Sequence, residues 1–281
     1  MHSSPGEIQA AVKAYRARIA GHNRRIMEAY MPLITTAELD PDDYCSGDEE
    51  EDVSELRMEG LMAIFDRRLT DFISTPAELL DHWDELVARY DLDGTGGVVD
   101  EEHLTHCEEY FTHLEAALEA TCREDVRDDI AVPEEFRELA KHVRGLTGPG
   151  FTEEYKSRYQ ALFWPGPNYG QHAAKRVAGT ARTPAQLGDE FNAFWEYAGG
   201  WEPGCGYDCF FSVVYCRRRA EPGRETTGPW VWRYESNDPM DPGGFDTIPE
   251  LLEWYAGYRE RGVPDVGEFT GEDFFRGGLE F

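Results

Sequence analysis

The sequence predicts an α+β protein: a helical N-terminal half followed by an α+β region with a small antiparallel sheet. Three observations carry this. Apolar residues recur at helical spacing through roughly the first 120 residues, whereas β-branched and aromatic runs gather after residue 200. The composition, 41% hydrophobic and 13% aromatic, is that of a folding chain with enough apolar area to offset its conformational entropy. With 281 residues the chain is long enough for one large domain or two modest ones.

Helical spacing opens the chain. Over 7–31, Ile8, Val12, Tyr15, Ile19, Ile26 and Tyr30 form one apolar stripe of an amphipathic helix. Its polar face carries Lys13, Arg16, Arg18, Arg24 and Arg25, which suits docking on an acidic body better than gripping nucleic acid. Residues 38–55 are acidic and poor in aliphatics, and like-charge repulsion makes them a linker. Residues 56–74 read as helical. A further helix is expected over 76–90, opened by Thr75, Pro76 and Glu78 as a capping box. The same start recurs at Thr183 with Gln186 and at Thr247 with Glu250. "CFFSVVYCRR" and "PWVWRYES" are expected to pair as antiparallel strands, with Trp230, Trp232 and Tyr234 on one face. A closing helix spans about 248–261, and Phe269, Phe274 and Phe275 can pin an irregular tail. The expected organisation is a helix over 1–36, a linker over 37–55, a helical region over 56–128, an α+β region over 129–265 and a tail over 266–281.

Charge narrows the partners. The balance of 56 Asp+Glu against 27 Lys+Arg gives a net charge of −29. Such a surface repels phosphate backbones and anionic lipid, and it attracts cations and basic proteins or peptides. We therefore expect no nucleic acid and no membrane partner. No apolar run reaches the length of a bilayer span, and the N-terminus has no secretory h-region. The six cysteines are too sparse for a disulfide scaffold, and C-x3-C-x6-C over 205–216 lacks a zinc knuckle. Reduced thiols and a cytoplasmic location are expected.

The most informative stretch is "ARYDLDGTGGVVDEEHL", residues 88–104, with five carboxylates and three glycines. In a twelve-residue frame starting at Asp91, positions 1 and 3 are Asp91 and Asp93, position 5 is Thr95 and position 6 is Gly96. Position 7 is Gly97, position 8 is Val98 and position 12 is Glu102. Calcium takes six to eight hard oxygens. The carboxylates of Asp91, Asp93 and Glu102, the Thr95 hydroxyl and the Gly97 carbonyl supply that chemistry, with water near position 9. Gly96 permits the reversal that points oxygens inward, and Val98 is expected to dock the loop on a core or a neighbouring strand. Apolar stripes flank the loop, with Trp83, Leu86, Val87 and Tyr90 before it and Leu104, Cys107, Phe111, Leu114 and Leu118 after it. This segment, 76–118, resembles the EF-hand family, which implies calcium binding between two helices. Val99 at position 9 offers no side-chain oxygen, and His103 stands where the family has an apolar residue. Binding on the order of micromolar or weaker is therefore expected, and the alternative is a vestigial loop. A paired second loop would have to be "REDVRDDIAVPEEF", whose Arg123 and Arg127 fall at ligand positions and would repel an ion. His103, His106 and His113 are read as a solvated polar face.

Residues 133–261 resemble the SUKH superfamily through Pro133, Phe136, Gly145, Gly199, Gly200, Phe245, Leu252, Trp254 and Tyr255. That resemblance implies an α+β protein-binding module, as in immunity proteins, with no catalytic residues to transfer. Trp201, Trp230 and Trp232 are candidates to line a ligand groove. No G-x-S-x-G elbow, phosphate loop or H-E-x-x-H is present, so no enzyme is expected. Two functions remain from the sequence: a calcium-binding protein with one EF-hand coupled to an interaction module, or a SUKH-like immunity or scaffold protein that binds a basic partner.

Overall fold

The structure, a computed structural model, describes residues 3–36, 53–65, 67–148, 178–190, 194–205, 210–219, 228–236 and 243–257. Most of the acidic linker, the C-terminal tail, Cys45, Cys209 and the 149–177 stretch lie outside the described residues. The described chain is α+β. Helix α1 spans Pro5–Thr36, α2 Val53–Phe65, α3 Trp83–Tyr90, α4 Glu101–Thr121 and α5 Glu134–Ala140. Strand β1 (Ala181–Arg182) precedes α6 (Pro184–Glu190), and β2 (Trp195–Cys205), β3 (Phe210–Arg218), β4 (Val231–Ser236) and β5 (Gly243–Phe245) lead to α7 (Ile248–Gly257). The strands form one antiparallel sheet in the order β1-β2-β3-β4-β5.

The chain divides into two compact units, and the boundary falls between Gly94 and Thr95. The first contains the start of the chain to Tyr15, Thr95–Thr147 and the sheet with α7 up to Tyr255; the second contains Arg16–Gly94.

In the second unit, Ile26, Met27, Tyr30 and Ile34 of α1 are buried with Leu61 and Phe65 of α2, Leu69, Ile73, Leu79, Trp83, Leu86 and Leu92. Burying a Leu or Ile side chain contributes about 1.5–3 kcal/mol, so this apolar stripe is what holds α1 in place. The helix expected over 76–90 is interrupted. Pro76–Glu78 forms a 3-10 turn, with the Ser74 and Thr75 amides donating to Glu78 Oε2 at 2.7 and 3.4 Å, and α3 begins only at Trp83. Leu79 and Trp83 are both buried, and tertiary packing overrides helix propensity here.

In the first unit one sheet face is read directly from the register. Trp201 lies opposite Val213, Val213 opposite Tyr234 and Tyr234 opposite Phe245, so these side chains share a face. Against that face the rings form a chain: Phe111–Phe136 at 6.1 Å, Phe136–Trp201 at 5.2 Å, Trp201–Trp232 at 5.5 Å and Trp232–Tyr215 at 4.9 Å. On the other face Tyr197, Val214 and Cys216 pack with Leu187 of α6. The Thr183–Gln186 and Thr247–Glu250 starts hold as expected: the Gln186 and Glu250 amides each lie 3.4 Å from the cap hydroxyl.

Sequence reading missed strands β1, β2 and β5; the longest of them, β2, was hidden because Gly199, Gly200 and Pro203 suggest a turn. The glycines serve packing instead. A Cβ on Gly200 would stand 2.5 Å from the Val213 carbonyl oxygen, and one on Gly199 would stand 3.1 Å from Cys122 Cβ. The stretch 123–134 forms no second ion-binding loop. It makes a 3-10 turn at Glu124–Val126, and Arg123 pairs with Asp125 at 2.8 Å and with Glu196 at 2.5 Å. Cys107, Cys122 and Cys216 are free and buried.

Candidate functional site

The loop begins where α3 stops. Asp91 caps the helix in the left-handed conformation (φ 54°), which Asp tolerates better than most residues, and it is the sole non-glycine with positive φ among the described residues. The chain then turns tightly, with the Gly94 amide donating to the Asp91 carbonyl at 3.2 Å, and Gly94 (φ 74°) is left-handed as well.

Two side chains of α1 hold this first part of the loop within the second unit. Asn23, fully buried, donates from Nδ2 to the Leu92 carbonyl at 2.9 Å. Arg16 donates from Nε to Asp93 Oδ2 at 2.7 Å, and its Nη2 lies 2.5 Å from the same oxygen. The Asp93 side chain is 9% exposed while Arg16 is 52% exposed, so the carboxylate is sheltered and the guanidinium reaches in from solvent. Arg16 and Asp93 are 77 residues apart, and no spacing rule links them. The sequence signal available was the basic face of the N-terminal helix, of which Arg16 is one member.

The later part of the loop belongs to the first unit. Thr95 is buried, and its carbonyl accepts from the amides of Arg144 (2.9 Å) and Gly145 (3.2 Å). Gly96 needs to be glycine twice over: its φ is 72°, and a Cβ would stand 2.8 Å from the Gly145 amide nitrogen. Gly97 also has positive φ (97°), with open space beside it. Val98 was expected to dock; instead it is 73% exposed. With no paired loop among the described residues, the position-8 side chain has nothing to bury against.

Asp100 caps α4, its Oδ1 accepting from the His103 amide at 2.8 Å, and that backbone hydrogen bond holds its carboxyl below the usual range. Glu102 is exposed in the first turn of α4. The expected solvated histidine face is corrected in part: His113 is exposed and His106 half-buried, but His103 is buried. Its Nε2 lies 3.3 Å from the Ala140 carbonyl and 3.2 Å from Cys107 Sγ. His103 is therefore a desolvated, neutral ring. Burial lowers its pKa from the ordinary 6.5 and pushes the Cys107 thiol up to about 12.

This has a pH consequence. The unfolded chain binds a proton near pH 6.5 that folded His103 resists. Its contribution to stability is complete above that pH and declines as the pH falls toward the lower folded value. We expect denaturation midpoints of the wild type to fall between pH 7 and 5 more steeply than those of His103→Gln. Equal slopes would contradict the assignment.

Among the described residues, no group of three or more His, Cys, Asp or Glu side chains is gathered as a metal cage. The Asp93 carboxylate is paired with the Arg16 guanidinium. The candidate groove is corrected: Trp201 is fully buried between Phe136 and Trp232 and is core. Trp230 and Trp232 are half-buried, with Arg217 4.4 Å and Arg123 5.5 Å from the centre of a Trp230 ring, and Glu196 bridges both arginines.

Comparisons with protein families, with characterised proteins and with solved structures give no match. Among the described residues, no helix is long and apolar enough to cross a membrane.

Proposed function

We propose that this protein binds calcium through the loop 91–102 and couples it to an α+β protein-interaction module, acting in the cytoplasm without catalytic chemistry. Asp91, Asp93 and Glu102 would provide carboxylates, Thr95 its hydroxyl and Gly97 its carbonyl. The observation that carries the reading is the sheltered Asp93 carboxylate, at the third position of an oxygen-rich glycine turn, with a cation already on it. Bound calcium supplies a divalent charge that oxygen donors share. The left-handed glycines at 94, 96 and 97 let the backbone turn its oxygens without side-chain clash. The EF-hand-like spacing and the flanking α3 and α4 support the reading.

Thermal unfolding in excess calcium and in chelator tests it. A ligand at 100 times its dissociation constant stabilises the native state by about 2.7 kcal/mol, several degrees in melting temperature for a chain of this size. The wild type is expected to shift upward with calcium and Glu102→Gln to shift little. An equal melting temperature of the wild type in calcium and chelator would overturn the reading.

The net charge of −29 favours a second reading, a SUKH-like immunity or scaffold protein that captures a basic protein or peptide. Complex formation that weakens with salt and ignores chelator would favour it.

A further inference from the structure

We propose that Glu235, on the sheet face covered by Leu187 of α6, is a proton switch: with a proton it leaves Arg233 stacked on Trp195 and paired with Asp246, and without one it draws Arg233 onto itself. All of these residues belong to the first unit, and none takes part in the loop 91–102. The inference therefore stands or falls apart from the calcium reading.

A buried carboxylate is tolerated as an ion only when donors replace the water it has lost. Glu135 meets that demand, with three donors on its two oxygens. Glu235 does not. It is 6% exposed and, among the described residues, accepts from the Tyr197 hydroxyl alone, at 3.2 Å. Arg233 Nη1 stops 3.9 Å from its Oε1, outside hydrogen-bond reach. Directly opposite on β3 lies Ser212, whose buried Oγ has no hydrogen-bond partner. Residues paired in this way hold their Cβ atoms about 5 Å apart, so a proton on Glu235 has an acceptor within a side-chain rotation. Burial raises the Glu235 pKa above the ordinary 4.5, with the Arg233 charge opposing it. Of the groups that face it, Tyr197 on β2 and Cys216 on β3 are raised by burial too and stay neutral, which leaves Arg233 as the charge that can move. Its guanidinium carbon stands 4.1 Å over the Trp195 ring, and its Nε lies 2.6 Å from Asp246 Oδ1 without aligning a hydrogen bond. The Asp246 side chain is 66% exposed, so solvent screens that pair and keeps it weak. A charge on Glu235, whose side chain is 7% exposed, attracts the guanidinium more strongly than Asp246 does. The transfer bares the Trp195 face and frees Asp246.

Urea denaturation of the full chain across pH compares the wild type with Glu235→Gln, a neutral stand-in for the protonated acid. A glutamate whose folded pKa is raised stabilises the fold most while protonated, and that contribution is lost as the pH rises through the folded value. The two chains are therefore expected to have equal midpoints in acid, and the wild type to fall progressively below Glu235→Gln as the pH rises past 4.5. A wild type more stable than Glu235→Gln at neutral pH, as an ionised pair with Arg233 requires, overturns the proposal, and so do curves that stay parallel. A readout in the unaltered protein holds even if the variant fails to fold. The carbon-13 NMR signal of the Glu235 carboxyl is expected to titrate above 4.5, and the Trp195 indole N–H signal to shift with the same midpoint as Arg233 leaves its ring. A carboxyl signal that titrates at or below 4.5 overturns the retained proton, and a Trp195 signal that does not follow it overturns the transfer.

Discussion

Replacing Trp201 with alanine is expected to destabilise the sheet-containing unit by about 4 kcal/mol, the upper range for a large aromatic removed from a packed core. Trp201 is fully buried on β2, edge-on to Phe136 at 5.2 Å and to Trp232 at 5.5 Å. It links Phe136 of α5 to Trp232 of β4, so its loss leaves a cavity bounded by two other rings. Collapse is restricted because the neighbouring Gly200 already brings backbone within touching distance of Val213. Urea denaturation followed by far-UV circular dichroism would measure the loss. A control sharpens the test. The indole Nε1 is buried without a hydrogen-bond partner, so Trp201→Phe sheds an unpaired donor along with some volume and is expected to cost roughly half as much or less. A loss below about 1 kcal/mol for alanine would make Trp201 a groove residue rather than core.

The second large effect is expected at Glu135, a buried carboxylate that no pattern in the sequence marks. It sits in the first turn of α5, 3% exposed, and accepts from three places: the Ser3 amide, the Tyr234 hydroxyl at 3.3 Å and the Ile248 amide at 3.3 Å. One side chain thus ties the start of the chain, β4 and the first residue of α7. Glu135→Ala would leave these donors without their acceptor, at about 1–3 kcal/mol for each buried group, and a total loss of about 3–5 kcal/mol is expected. Tyr234 is completely enclosed, and desolvation raises its pKa far above the ordinary 10, so its hydroxyl stays a donor across the accessible pH range. A double-mutant cycle with Tyr234→Phe should give a coupling of about 1 kcal/mol. Full additivity would mean that the two groups do not share a hydrogen bond, and a Glu135→Ala loss within about 0.5 kcal/mol would mean that Glu135 is not the tie.

How much of this was legible in the sequence depends on how local the determining physics is. The stripe from Ile8 to Tyr30 declared α1 because helical spacing is a property of neighbours three and four apart, and all six residues are buried. The alternation of Trp232 and Tyr234 declared β4 for the same reason. The three capping starts were also legible, yet the first opens a 3-10 turn rather than a helix. The path of the chain beyond Glu78 is decided by Leu79 and Trp83 finding the core, not by the cap. Strand β2 was hidden because Gly199 and Gly200 look like turn formers until Cys122 and Val213 are seen against them. In the loop, the need for glycine at position 96 was legible from spacing alone. The exposure of Val98, the burial of His103 and the grip of Arg16 on Asp93 were not, since each depends on contacts or missing contacts far along the chain. The half-buried arginine stack on Trp230 belongs to the same class: Glu196 and Arg217 face each other only once β2 pairs with β3.

The calcium assignment turns on whether the loop binds the ion through the ligand at its twelfth position. Calorimetric titration of calcium into the wild type and into Glu102→Gln, side by side at one ionic strength, tests this most directly. The account predicts a saturable isotherm for the wild type, on the order of micromolar or weaker, and its loss or severe weakening in Glu102→Gln. An absence of heat in the wild type across several temperatures, or superimposable isotherms for the two proteins, would contradict it.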